Sequence, residues 1–389
     1  MMKVLHVTAS LSRLGGGIPP VVWELARHQS AAGAAASVAG LQDRYTAEDA
    51  RTDVPYRAAV STGPAAFGYS RELGKLLHDH RADVVHSHGL WMHPGIEARR
   101  LARRSRAPLV VSPHGMLEPW AIRRSRLRKL AAAWLFERSN VRSAGCVHAL
   151  CRQEAAGIRA FSPRSAIAVV PNGVDLRDWA TMPCREAIAE RFPEVNGRRR
   201  ALFLSRIHPK KGLAHLLEAW ARLGRLSDGW VLVVSGPDEG GHLRHIESLA
   251  ESLGISRSVV FTGPLYGQAK LEALAGADVF VLPSFSEGFS IAVLEAAACR
   301  LPVLLTAQCN FPELAAAGGA VEVEPTAEGT LRGLRLLAGM TDAQLREMGA
   351  SGRKLVEFHY TWDAIATKMV DVYSWLLGGG PAPACVMQP

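Results

Sequence analysis

Short apolar runs alternate with stretches of helical period along the whole chain. In the first half, residues 3–8, 37–40, 84–87, 109–112, 145–150 and 167–170 read as strands. The second half offers 201–204, 231–235, 259–261, 279–283, 303–306 and 320–323. Between them, segments such as 20–32, 213–223, 243–253 and 290–299 carry apolar residues at helical spacing. This alternation predicts an α/β protein with parallel sheets built from right-handed crossovers. Near-continuous Val, Leu and Ile runs suit strands covered on both faces.

The rhythm breaks at Pro171-Asn172-Gly173-Val174-Asp175, a turn composition, and a mixed basic stretch follows to Arg200. A domain boundary is therefore expected near residue 178, giving one domain over 1–178 and a second over 179–361. A final helix is expected over 362–377, with apolar residues on more than one side. The Gly- and Pro-rich stretch 378–389 is expected to be disordered.

A chain of 389 residues exceeds what one core usually supports, and its 48% apolar content is enough for two. No apolar run approaches the roughly 20 residues of a spanning helix, and the first strand is too short for a signal segment. A cytoplasmic location is expected. The six cysteines form no Cys-x-x-Cys pair and no zinc-like cluster, so free thiols are expected. The net charge of +9 is concentrated: between Arg99 and Arg142, twelve Arg and Lys face only Glu118 and Glu137. Such a local basic face suits an anionic surface.

Four places carry candidate chemistry. Gly15-Gly16-Gly17 follows the first strand and precedes a helix beginning near Pro19-Pro20. Glycine permits close backbone approach, and the helix N-terminus attracts phosphate. The spacing is neither a dinucleotide fingerprint nor a Walker loop, so a flexible turn is the other reading. The stretch Ser205-Arg206-Ile207-His208-Pro209-Lys210-Lys211-Gly212 follows the first strand of the second half. It would bring Arg206 and Lys211 to one mouth, a guanidinium fork and a point charge suited to a diphosphate; a solvated basic turn is the alternative. Glu287-Gly288-Phe289-Ser290-Ile291-Ala292-Val293-Leu294-Glu295 is the most specific of the four. Glu287 falls in a loop at a strand's carboxyl end, where ligands of parallel sheets bind. Gly288, Phe289 and Ser290 offer N–H groups at the next helix start. Glu295 lies in an apolar stretch, where a buried carboxylate needs a polar partner, and ribose hydroxyls would serve. Finally, Ser112-Pro113-His114-Gly115-Met116 places His114 at another strand end, where it would point into a cleft; a structural histidine is the other reading. His86, His88 and His93 surround Gly89-Leu90-Trp91, but no nearby acid completes a metal-binding set.

These motifs, in this order over nearly the whole chain, resemble those of the retaining GT-B glycosyltransferases of family 4. The resemblance implies two Rossmann-like domains whose parallel sheets face across a cleft. The first, 1–178, would bind the acceptor, and the second, 179–361, the nucleotide sugar. The last helix would cross back to the first domain after Tyr360-Thr361-Trp362. It implies that Gly16 and Gly17 approach the donor and that His114 contacts the donor sugar. Arg206 and Lys211 would hold the diphosphate, Glu287 the sugar and Glu295 the ribose, with Gly288, Phe289 and Ser290 completing the donor site. Two positions depart from the pattern. Ser205 stands where Gly often precedes the arginine. Arg300 stands where Gly usually ends the helix, and a left-handed conformation there is costlier for Arg.

The implied reaction moves a hexose from a GDP- or UDP-sugar to a glycan or lipid-diphosphate-linked acceptor with retention, as in bacterial polysaccharide synthesis. No Asp-x-Asp occurs, so neither metal nor other cofactor is expected. Charge on the leaving diphosphate would fall to Arg206, Lys211 and helix amides. A nucleotide-sugar 2-epimerase or phosphorylase on the same architecture is one alternative, and a non-catalytic nucleotide-sugar-binding protein another. No helix-turn-helix, RRM or zinc-finger pattern accompanies the basic stretch, so nucleic acid is not an expected partner. Trp120, Ile122, Leu127, Leu130 and Trp134 are interleaved there with Arg123, Arg124, Arg126, Arg128 and Lys129. That mixture suits a helix lying in an anionic membrane interface, on the cytoplasmic face; apolar residues turned to a core beneath solvated arginines would also explain it.

Overall fold

The computed structural model describes residues 1–118, 121–122, 125–179 and 181–389, with Arg126 and Asp178 described by their backbone alone. The chain forms two compact units, one of Met1–Gly173 with Trp362–Pro389 and one of Val174–Thr361. The change of unit falls at Gly173, inside the Pro-Asn-Gly turn and a few residues before 178. A Cβ on Gly173 would lie 2.8 Å from the Cα of Trp362, so the outgoing and returning chain can run side by side only if residue 173 has no side chain.

The first unit contains β1 (Met2–Thr8), β2 (Ala34–Leu41), β3 (Tyr56–Ala59), β4 (Val84–His88), β5 (Leu109–Ser112), β6 (Cys146–Ala149) and β7 (Ile167–Val169). The second contains β8 (Arg199–Leu204), β9 (Trp230–Ser235), β10 (Val259–Gly263), β11 (Val279–Leu282), β12 (Val303–Thr306) and β13 (Ala320–Val323), and β14 (Val386–Met387) returns to the first. Their sheets run β14-β7-β6-β5-β4-β1-β2-β3 and β10-β9-β8-β11-β12-β13. Every pairing is parallel except that of β14 with β7. β4, β9, β11 and β12 are buried at every position, as strands sandwiched between helices must be.

Three elements differ from the sequence expectation. β3 escapes an apolar search because it is an outer strand with two exposed residues, Tyr56 and Arg57. β8 begins at Arg199, within the supposed basic linker. Arg200 there is fully buried because its guanidinium donates to the carbonyls of Arg185 (2.8 Å), Val195 (3.2 Å) and Gly276 (3.1 Å). The stretch 378–389 is not structureless. Val386 and Met387 pair with β7, the Val169 N–H donates to Cys385 O at 2.8 Å, and Arg159 donates to Gln388 O at 2.9 Å. Gly and most of its Pro lie in its first six residues; the Cys-Val-Met segment that follows is apolar enough to close a sheet.

The helix Trp362–Leu376 packs on the helix Ile18–Ala31 within the first unit. Tyr373 and Met369 are fully buried, and His28 Nδ1 meets Asp363 Oδ1 at 2.6 Å. Among the described residues no helix is long and apolar enough to cross a membrane.

Candidate functional site

In each sheet the strand order reverses at one place, between β1 and β4 and between β8 and β11. Loops leaving the carboxyl ends of two such strands diverge to opposite sides and leave a crevice. In the second unit, both loops at this point carry sequence-predicted residues. The turn after β8 ends at Gly212, whose φ is +72°, and a Cβ there would lie 2.0 Å from Pro283 O at the end of β11. Only glycine permits this approach. The loops are then tied together, since Phe285 N–H and the Ser284 hydroxyl both donate to Lys210 O, at 2.7 and 3.0 Å.

That tie brings Lys211 Nζ to 2.6 Å from Glu287 Oε1, both residues buried at 6% and 9% exposure. Asn310 holds the far side of the loop: from a left-handed conformation (φ +57°) its amide donates to Glu287 O at 2.6 Å and Gly288 O at 3.1 Å. Ser290 caps the helix Ile291–Ala298, its side chain accepting from Val293 N–H. Phe289 is buried and lies 5.1 Å from Phe311 and 6.0 Å from Tyr360 between ring centroids, so its ring anchors the loop. Glu295, half-buried on the same helix, pairs with Lys270 Nζ at 2.7 Å. Arg206 stands apart from the buried pair, half-exposed and paired with Glu239. Lys270, Glu239 and Asn310 were not singled out from the sequence. Each is an ordinary polar residue in its own segment and acquires its role only from its partner.

In the first unit, a cavity of about 540 Å³ opens where β1, β2 and β4 end, with Thr8, Ser10, Asp43, His88 and Met116 in its wall. Gly15 also lines it, and a Cβ on Gly15 would press on Pro19 and Ser10 at 2.7 and 2.8 Å. Gly16 takes φ +68°. Around a Cβ at Gly16 or Gly17 the space is open, so the fold itself gives no reason for glycine at Gly17. Neither of the two lines the cavity.

His114 also adopts a left-handed conformation, at φ +52°. Glu154, buried at the start of the helix Arg152–Phe161, steadies this loop by accepting the N–H of Gly115 at 2.6 Å and of Leu150 at 2.7 Å. Burial pushes its carboxyl up to about 7, against the pull of those two N–H groups. Glu137 serves Trp91 (φ +70°) in the same way, accepting its N–H at 2.5 Å.

His86 and His88 do not group with His93, which pairs with Glu97 at 3.1 Å. They join His6 instead, and the three present ring nitrogens within 4.8 Å of one another. The rings of His86 and His88 stack at 4.2 Å. Stacking sets their in-plane lone pairs side by side rather than converging on one point, which suits hydrogen bonding better than a shared metal ligand set.

Two family profiles match the chain. The family profile described as Glycosyl transferases group 1 matches residues 185–354, and that of the Glycosyl transferase 4-like domain matches residues 16–173. The chain belongs to this family of glycosyltransferases, and its architecture is the GT-B fold of two Rossmann-like domains. A GDP-mannose-dependent alpha-(1-6)-phosphatidylinositol monomannoside mannosyltransferase of Mycobacterium tuberculosis is 30% identical over 54% of this chain. The match spans 57% of that relative's length. Alpha-maltose-1-phosphate synthase of Mycolicibacterium smegmatis is 28% identical over 78% of this chain and 82% of its own. Among solved structures, Anabaena HepE in complex with UDP-glucose superposes with a TM-score of 0.77 at 17% identity, covering 96% of this chain and all of that one.

Proposed function

We propose that the protein transfers a hexose from a nucleoside-diphosphate sugar to a hydroxyl acceptor with retention of configuration. The observation that carries this reading is the buried Lys211–Glu287 pair at the strand-order reversal of the second sheet. A buried charge pair is expensive to hold, and a diphosphate sugar gives each member a use. Lys211 turns to the diphosphate, with Arg206 released from Glu239, and Glu287 accepts sugar hydroxyls. Glu295 exchanges Lys270 for the ribose hydroxyls. The glycosidic bond breaks with its electrons passing to the β-phosphate oxygen, which takes the acceptor's proton as the acceptor oxygen bonds to the same face of the sugar. The cations and helix amides then bear the charge on the leaving diphosphate without a metal. The acceptor occupies the first unit's cavity, whose wall of Thr8, Ser10 and Asp43 suits hydroxyl groups. GDP-mannose and UDP-glucose stand in the names of relatives and are the first donors to try.

The test is a panel of nucleotide sugars read by diphosphate release and product anomer, with calorimetry on Glu295→Ala. Loss of about 1 kcal/mol or more in affinity for the free nucleoside diphosphate is expected, as for a charged hydrogen-bond partner. Unchanged affinity would reject the ribose role. Activity abolished by EDTA and restored by Mg²⁺ would reject the metal-free reading, and donor turnover without acceptor would favour an epimerase or phosphorylase.

Attachment to an anionic membrane belongs to the same proposal, with synthesis of a bacterial polysaccharide on a lipid carrier as its setting. Leu127, Leu130, Trp134 and Leu135 are 82%, 51%, 82% and 67% exposed, and their spacing puts them on one helical face. The opposite face, Ala133, Glu137, Asn140 and Val141, is buried. Arg128, Arg138 and Arg142 are exposed beside this ridge. Lys129 instead turns inward, donating to Ala121 O and lying 5.9 Å from the Trp91 ring centre. Trp120, Arg123 and Arg124, and the side chain of Arg126, lie outside the described residues. An apolar ridge flanked by arginines suits an anionic lipid surface.

A further inference from the structure

Five buried or half-buried histidines in the first unit belong to one continuous chain of hydrogen bonds. His114 Nε2 meets His88 Nδ1 at 3.0 Å, and His88 Nε2 meets His6 Nδ1 at 2.9 Å. His6 Nε2 meets Gln29 Oε1 at 2.8 Å, and the Gln29 amide nitrogen meets the Tyr373 hydroxyl at 3.1 Å. That hydroxyl meets His86 Nδ1 at 2.6 Å, and His86 Nε2 meets Ser112 Oγ at 2.6 Å. Ser112 Oγ meets His148 Nδ1 at 2.7 Å, and His148 Nε2 ends the chain on the carbonyl of Val170 at 2.7 Å.

A carbonyl can only accept, so His148 must donate through Nε2 and, as a neutral ring, accept through Nδ1. The Ser112 hydroxyl therefore donates to it and receives from His86 Nε2. His86 Nδ1 then accepts from Tyr373, whose oxygen accepts from the Gln29 amide. Gln29 Oε1 accepts from His6 Nε2, and the same logic passes through His88 to His114. One carbonyl thus assigns all five rings the Nε2-protonated tautomer. Charging His6, His86, His88 or His148 would put two donors face to face, whereas the Nδ1 of His114 is the open end of the chain. Burial acts in the same direction, holding His6 and His148 down to about 4 and His114 to about 3, with His86 and His88 well below the ordinary range.

We infer that this relay is a positioning device that fixes His114 in the Nε2-protonated tautomer and leaves its Nδ1 to accept a hydrogen bond from a donor-sugar hydroxyl. The inference rests on the proposed donor role of His114. Ser112, His148, His86, Tyr373, Gln29, His6 and His88 act through that ring and touch no sugar. Tyr373 lies on the returning helix Trp362–Leu376, so that helix sets the polarity of a ring 259 residues earlier in the chain. The resulting specificity is chemical: a sugar that presents a hydroxyl there can donate, and one with fluorine in its place cannot.

The test combines ring-nitrogen NMR on histidine-labelled protein with kinetics on a series of monodeoxyfluoro nucleotide sugars. In the wild type, five rings should show the neutral Nε2-protonated pattern at pH 7, and one fluorinated position should cost about 10-fold or more in kcat/KM. Tyr373→Phe, which cuts the relay midway, should mix the tautomers of His114 and His88 and erase that discrimination. Affinity for the free nucleoside diphosphate should stay unchanged. Ser112→Ala repeats the cut one ring from Val170, should Tyr373→Phe fold poorly. An Nδ1-protonated ring among the five, or stoichiometric Co²⁺ binding by these rings, overturns the relay even if sugar transfer is intact. The expected tautomers in a protein that turns over no nucleotide sugar would count against the proposed function alone. Sugar transfer indifferent to every fluorinated position overturns the hydroxyl assignment.

Discussion

Lys211 and Glu287, 76 residues apart in sequence, meet at 2.6 Å at the reversal point of the second sheet. Neither turn could bury its charge alone. Removing one partner strands the other, at a typical cost of about 3–5 kcal/mol. Lys211→Ala and Glu287→Ala should therefore each lower stability by about that amount in urea titrations, in addition to cutting turnover. Lys211→Met combined with Glu287→Leu should recover most of the stability and none of the activity. If either single change leaves the midpoint untouched, the pair is solvated rather than buried.

The histidine relay makes stability depend on acid. His6, His86, His88, His114 and His148 have folded values depressed below the ordinary 6.5. Between 6.5 and about 4 the unfolded chain binds protons that the folded protein refuses. Stability from these rings is complete above 6.5 and is lost as pH falls, by about 1.4 kcal/mol per pH unit for each ring. Glu154 works oppositely: its raised value makes its contribution decline as pH rises from about 4.5 through about 7. The five rings outnumber it, so melting temperatures should drop steeply from pH 6.5 to pH 5. A flat profile over that range would mean the rings are hydrated, and His6→Gln should make the drop shallower.

Arg300 follows the helix Ile291–Ala298 in a left-handed conformation, φ +62°, which favours glycine. That conformation costs a side-chain-bearing residue about 1–2 kcal/mol, partly offset by glycine's greater unfolded freedom. Arg300→Gly should stabilise the protein by about 0.5–1 kcal/mol, seen as a small rise in melting temperature, with kinetics unchanged. A loss of stability would show that the guanidinium contributes more at the helix end than the backbone costs.

Membrane attachment is read by co-sedimentation with liposomes of increasing anionic-lipid content. Arg128, Arg138 and Arg142 changed together to Gln should weaken binding, each cation near such a surface being worth about 1 kcal/mol at low salt. Trp134→Ala should weaken it without altering the salt dependence. Equal sedimentation of all the proteins would remove the membrane from the proposal and leave the transfer reaction standing.

What the sequence disclosed follows from how local each signal is. The Glu287 loop and the Lys211 turn are legible because each is short and sits directly after a strongly apolar strand. Asn310 and Lys270 are invisible because what matters is which distant group they reach, and topology decides that. The relay lies between these cases. His6, His86 and His148 interrupt apolar strand runs, and a polar ring in a buried strand must find partners. That clue was present, but the identity of the partners, above all Tyr373 on the last helix, needed the fold. β14 was missed because the composition of 378–389 as a whole masked three apolar residues near its end.

β14 also bears on how the protein behaves in concentrated solution. Without it, β7 would present its N–H and C=O groups outward, an invitation for the same strand of another molecule to pair. β14 covers that edge with only two residues, and so short an edge strand offers little for another chain to pair with. A fusion tag joined directly after Met387 would pull on the element that covers β7, whereas one at Met1, an exposed residue just before β1, would leave that cover in place.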